Sequence, residues 1–245
     1  MKELILFRGI TVPADNAEIV RREILTEGIR GDEGSWNIEI VDLKDRLQIL
    51  YDKADLTTND TRPSRTVQDG RGWHIETIDG FRIICACGDE SGASYYALDH
   101  NRHPQKDEIS FIIKFVVPLS DVYIDGKDFL YTCFQFWDRK GTGIFASQSE
   151  TLSKLFGKTI LKYFEKAAST DDQKYRVAMC DLACQDDQII SDHAKNKIII
   201  KGRYNTTFCS AFFVKSPIAA ARILSVEIPA FINLKVEEIV QLDNF

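Results

Sequence analysis

Apolar positions in this chain fall into short runs with two different spacings. Glu3 to Phe7 is a compact apolar stretch that predicts a strand ended by Arg8 and Gly9, with Pro13 closing a loop. Ala17, Val20 and Ile24 then repeat at helical spacing, with Leu25 beside them. Asp15 and Glu18 have capping-box spacing, and Gly28 suits the position just past a helix end. Trp73 to Thr77 and Gly80 to Cys87 predict two strands about an Asp79-Gly80 turn. Asp89 is placed to cap a helix from Glu90 to Asp99, with Ala93, Tyr96 and Ala97 on one face. Ile109 to Pro118 is apolar almost throughout, the mark of a central strand.

Further on, Phe129 to Trp137 and Tyr175 to Ala183 read as strands. Ser147 to Ala168 reads as one long helix opened by a Ser147/Glu150 box. Its core stripe is Leu152, Leu155, Phe156, Thr159, Ile160, Tyr163 and Phe164. Lys197 to Lys201, Ser210 to Val214 and Ile223 to Ile228 are the last predicted strands, and Pro217 separates the final two. Polar stretches interrupt this order early. Ile29 to Asn37 is a charged, Gly-rich loop, Val41 to Ala54 carries a helical stripe (Leu43, Leu47, Leu50, Tyr51), and Leu56 to Gly72 lacks any period and reads as a mobile loop or lid. Short strands mixed with a few helices indicate a single α+β domain over 1–245, with an inserted segment at about 38–72.

Composition narrows the function classes. A net charge of −6 excludes a uniformly basic nucleic-acid clamp but not a local basic groove. No apolar run reaches membrane-spanning length and no cleavage-site pattern opens the chain, so a cytoplasmic protein without a membrane partner is expected. The six Cys sit mostly in apolar runs and read as small hydrophobes in a reducing compartment. Cys85 and Cys87 with His100 and His103 match no structural zinc spacing, and no metal is expected. P-loop, G-x-G-x-x-G and nucleophile-elbow motifs are absent.

Four stretches carry a resemblance. They are Leu4-Ile5-Leu6-Phe7-Arg8-Gly9, Ile24-Leu25-Thr26-Glu27-Gly28-Ile29, the Ala93…Tyr96-Ala97 part of Ile83 to Ala97, and Ala211-Phe212-Phe213-Val214-Lys215 with the strand after it. In this order they resemble the ADP-ribosyltransferase fold, within it DarT-like toxins and the related toxin of the CmdTAC phage-defence system. The matched stretches span nearly the whole chain but cover about a quarter of it. The resemblance implies a split two-sheet core around a NAD cleft, with NAD as co-substrate. Arg8 would grip a phosphate or ribose, as a guanidinium fork suits. Phe7, Gly9, Ile10 and Gly28 would line the cofactor site, and Tyr96 (or its neighbour Tyr95) would stack on nicotinamide. Acceptors would be a nucleic-acid base or a protein side chain, with an antitoxin protein as a further partner.

The chain departs from the pattern in two places. Cys85-Ala86-Cys87 stands where Arg-type members have Ser-Thr-Ser, and Ala211 stands where the family has its catalytic Glu. An isolated Ala among matching residues favours replacement of a Glu, with a natural pseudoenzyme as the alternative, and on either reading the chain as given is expected to be catalytically inactive. Arg62, Arg65, Arg71 and Trp73 are the candidate acceptor contacts, as phosphate-binding cations beside a base-stacking ring. Two other readings compete. One is a non-catalytic module that holds NAD, ADP-ribose or a partner. The other is an RNA 2′-phosphotransferase, disfavoured because the first strand lacks the expected His.

Overall fold

The structure is a computed structural model and describes residues 2–30, 64–69, 72–78, 81–98, 105–135, 144–202, 206–229 and 238–242. In chain order the first elements are β1 (Glu3–Pro13), α1 (Ala17–Glu27), β2 (Ser64–Asp69), β3 (Gly72–Ile78), β4 (Phe81–Cys87), α2 (Glu90–Leu98), β5 (Glu108–Pro118) and β6 (Val122–Ile124). A run of helices follows: α3 (Leu130–Gln135), α4 (Ile144–Phe156), α5 (Ile160–Ala168), α6 (Gln173–Cys184) and α7 (Asp187–His193). The chain closes with β7 (Ile199–Lys201), β8 (Thr207–Phe208), β9 (Ala211–Lys215), β10 (Ile223–Glu227) and β11 (Ile239–Gln241).

The architecture is mixed α and β. The antiparallel order is β10-β5-β1-β4-β3-β2, and β9 pairs with both β4 and β6. A small second sheet joins β11, β7 and β8. β1 does not stop at Arg8 as the sequence suggests. It runs on to Pro13 because β5 offers a full-length partner, from Glu3 opposite Pro118 to Pro13 opposite Glu108. β5 lies between β1 and β10, as its apolar run predicts.

The sheet divides at one point. β1 and β4 share a single paired position, Phe7 with Cys87, whereas β4 pairs with β9 from Ile83/Lys215 to Cys87/Ala211. One wing is therefore β10-β5-β1 and the other β4-β9-β6, and they part beyond Phe7. α2 packs on the first wing: a side chain at Gly9 would collide with the Ala93 carbonyl and the Ala97 methyl. That close approach explains the glycine.

The helices depart most from the sequence reading. Phe129 to Trp137 was expected as a strand, yet Leu130 to Gln135 is helix α3, and Leu130, Tyr131, Cys133 and Phe134 are buried at helical spacing. Tyr175 to Ala183 lies in helix α6, not a strand. Val177 to Cys180 and Leu182 to Cys184 are all buried there, so packing on every side hides the helical period. The long helix is two, broken at Gly157, whose φ of 78° ends α4. Ser147 thus lies inside α4 and opens no capping box. Asp15 likewise falls in a 3-10 turn before α1, whose N-cap is Asn16 without a side-chain bond. Asp89 does cap α2, accepting from the Gly92 N–H at 2.8 Å.

Ser64–Asp69, expected within a loop, forms a hairpin with β3. The expected helix at Val41 to Ala54 lies outside the described residues, as do Arg62, Arg71, His100 and His103. All six Cys are free thiols. Among the described residues no helix is long and apolar enough to cross a membrane.

Candidate functional site

A single row of residues crosses four strands where the wings part. Phe7 on β1 pairs with Cys87 on β4, and Cys87 pairs with Ala211 on β9. The β6–β9 ladder ends at Ile124/Phe212, and one step on the Asp125 N–H donates to the Ala211 carbonyl at 2.9 Å. Residues directly opposed in an antiparallel ladder share a face. The row is therefore Phe7, Cys87, Ala211, Asp125.

Arg8 sits at the split. Its Nη1 donates to the Cys85 carbonyl at 2.9 Å. From the register, Cys85 is the residue that Gly9 would oppose had the two strands stayed together. The guanidinium thus takes the place of the ladder bond that is lost there. Its charge also favours the thiolates of Cys85 and Cys87.

Tyr96 closes the row from α2. It packs against the small cluster of Cys87, Ala93, Ala97 and Ile112, with Phe7 and Leu98. The Tyr95 ring meets it edge-on at 6.0 Å between centroids. Burial raises the Tyr96 hydroxyl well above its ordinary value, and Cys87, Asp128 and Asp125 add to the rise.

Asp125 brings the carboxylate. Its Oδ1 accepts from the Lys127 N–H at 3.1 Å, closing a turn onto the next residues. Burial, then the neighbouring Asp128, raises its carboxyl far above the usual carboxylate range, to about 7. Burial and then Asp125 push the Cys85 thiol up to about 11. Because Cys85 is exposed, solvent weakens both the burial and the Asp125 contributions to that rise but not its direction. The Asp125 charge disfavours a thiolate at Cys85, and burial disfavours one at Cys87.

The start of β9 is anchored from behind. The His193 ring stacks on Phe156 at 4.4 Å and meets Phe212 edge-on. Its Nδ1 bonds the Leu155 carbonyl at 3.0 Å, and its Nε2 accepts the Ala211 N–H at 3.3 Å. That pairing requires the neutral ring with its proton on Nδ1. Burial lowers the His193 value to about 4, which keeps it neutral.

Of the residues singled out in the sequence, the row and the helix packed on it take in Phe7, Gly9, Tyr95, Tyr96 and Ala211, while Arg8, out of phase with Phe7 and Gly9 on β1, reaches the Cys85 carbonyl. Ala211 is only 5% exposed, so its methyl is packed and not open to a cleft. Ile10 lies one residue out of phase with Gly9 and packs against the main core. Gly28 belongs elsewhere: it ends α1 with φ 87°, hard against Ile218 to Ala220, and plays a packing role. Arg65 in β2 and Trp73 in β3 belong to the outer hairpin. That hairpin joins β4 at Phe81 and Arg82, about 17 Å along the strand from Cys87. Asp125, Lys127 and Asp128 were not anticipated. The one signal was Asp125-Gly126-Lys127-Asp128, two carboxylates three apart after the short apolar Val122-Tyr123-Ile124.

A shallow depression lined by Ser149, Glu150, Ser153, Lys154, Lys158 and Leu161 lies between α4 and α5 and includes none of the expected residues. Compared with protein-family models, with characterised proteins and with solved structures, the chain matches none.

Proposed function

We propose that the chain is a NAD-dependent ADP-ribosyltransferase of the toxin or effector type, transferring ADP-ribose to a nucleic-acid base or a protein side chain. The observation that carries this is the position of Arg8 where the sheet divides, next in sequence to Phe7, whose row ends at Asp125 and is covered by Tyr96. The donor set fits the co-substrate: a guanidinium for phosphate or ribose, an aromatic ring for the nicotinamide, and a carboxylate for ribose hydroxyls.

NAD supplies an activated ribose whose bond to nicotinamide breaks with positive charge developing on the sugar. A carboxylate next to the ribose stabilises that charge. Arg8 would orient the dinucleotide through its phosphate or ribose. Tyr96, on a helix fixed by the Asp89 cap, would hold the ring to be expelled. Ala211 can contribute neither charge nor hydrogen bond.

A second reading rests on the same arginine. Arg8 already satisfies a backbone carbonyl where the strands part, so it serves as a structural plug in a module that binds without catalysis. Incubating the purified chain with NAD and following nicotinamide release separates the two. Release above the solvent rate supports the transferase. Mass spectrometry of nucleic acid and protein from expressing cells then identifies the acceptor. Binding without release supports the module.

A further inference from the structure

We propose that Asp125, delivered from the β6 edge, is the carboxylate of the Arg8–Tyr96 site, placed to hold the ribose next to the bond that breaks and to take the acceptor's proton. This rests on the transferase reading and supplies the acid–base group that Ala211 lacks.

The geometry begins with register. Asp125 is opposite Ala211, so a carboxylate on the next strand stands across the ladder from the position where the resembled family places Glu. Side chains directly opposed in this way have Cβ atoms about 5 Å apart. The aspartate side chain is shorter than that, so its carboxylate stands beside the Ala211 position and not in its place.

The carboxylate is also half committed. Oδ1 is held by the Lys127 N–H, which fixes the rotamer. Oδ2 has no hydrogen-bond partner among the described residues, and Asp125 is only partly buried. One oxygen oriented by the protein and the other left for a ligand is the arrangement a positioned general base needs.

The surroundings decide its protonation. Tyr96 on α2 and Cys85 and Cys87 on β4 all feel the Asp125 charge. Cys184 on α6 feels it from the helical side. Lys127 favours the ionised form and Asp128 opposes it. Asp128 lies three residues past the row, with its Cβ and carbonyl close to Gly202, and acts on Asp125 as a neighbouring charge. A carboxyl that titrates near neutrality is matched to proton abstraction at physiological pH.

In the step, Asp125 accepts the acceptor's proton as the acceptor's lone pair bonds the ribose C1′. Nicotinamide leaves with the electron pair of the broken C1′–N bond, and the proton passes on to water.

The test uses the full chain with NAD, followed by nicotinamide release and by calorimetry. Asp125→Asn is nearly isosteric and its amide oxygen can still accept from Lys127. It is expected to lower release about 100-fold or more while changing NAD affinity less than about tenfold. Asp128→Asn is expected to keep release but move the midpoint of the pH–rate profile to lower pH, a shift that a purely structural role would not produce. If the parent binds NAD and Asp125→Asn releases nicotinamide at the parent rate, or the parent releases none, the Asp125 assignment is overturned while NAD recognition stands. If the parent does not bind NAD at all, the transferase reading and this inference fall together.

Discussion

His193 and Ala211 are joined by a hydrogen bond from the Ala211 N–H to the imidazole Nε2 at 3.3 Å. It ties the first residue of β9 to the end of α7, and so ties the row across the sheet to the helical core. Because the ring must stay neutral to accept that bond, the anchor is sensitive to acid.

The sign of that sensitivity follows from the direction of the shift. His193 is held at about 4, below the ordinary 6.5. Its stabilisation is complete above pH 6.5 and is lost as pH falls toward 4, by about 3 kcal/mol. Denaturant unfolding at pH 7, 5.5 and 4 should show that loss. His193→Phe should be about 1–3 kcal/mol less stable at pH 7, because the Ala211 N–H loses its partner, but should show a shallower decline with acid. An unchanged acid slope in the variant would assign the slope to other groups.

Asp125 has the opposite sign. Its folded value is raised, so the stability its proton-bound form contributes is complete below about pH 4, is lost as pH rises from there to about 7, and changes no further above that. Asp125→Asn should match the parent in stability near pH 4 and exceed it at pH 8 by on the order of 2 kcal/mol. Melting curves across that range check it, and equal stabilities at pH 8 would place Asp125 in a more watery setting.

Ala211→Glu is the substitution suggested by the family resemblance alone. The structure predicts a different result from restored catalysis. Ala211 is 5% exposed and opposite Asp125, so a second carboxylate would be packed beside the first. The variant should lose about 2–3 kcal/mol at pH 8, less at pH 5, and should not exceed the parent in nicotinamide release. A stable variant with faster release would return the catalytic position to β9.

Asp186 tests the helical layer that backs the site. Burial alone would raise its carboxyl, but Lys162 and Tyr163 hold it low, with bonds of 2.9 and 2.7 Å. Its Oδ1 also caps α7 through the Gln188 and Ile189 N–H groups. Asp186→Ala should cost about 2–3 kcal/mol, and Asp186→Asn, which can keep the cap, about 1 kcal/mol. Chemical denaturation of both variants distinguishes loss of the cap from loss of the ion pair.

The parts of the fold legible in the sequence are those whose signals are local. The Asp89 cap, the Gly28 terminus and the apolar run of β5 each follow from a few adjacent residues. α6 was not legible because burial on all sides hides its helical period, and α3 was not because its six residues are too few for an apolar spacing to separate helix from strand. Arg8 and Tyr96 stood out in the sequence, but Asp125 did not. Its place depends on pairing with a residue 86 positions later, and in sequence Asp125-Gly126 is an ordinary turn signal.

The most direct test of the central claim is calorimetric titration of NAD into the full chain and into Arg8→Ala, with unfolding of both measured in parallel. If Arg8 grips the dinucleotide, the parent binds NAD and Arg8→Ala binds it about 10–100-fold more weakly, the cost of one charged hydrogen bond, at a stability loss of no more than about 1–2 kcal/mol. Equal NAD affinity in the two proteins, or no binding by the parent, would contradict it and leave Arg8 as the plug where β1 and β4 part.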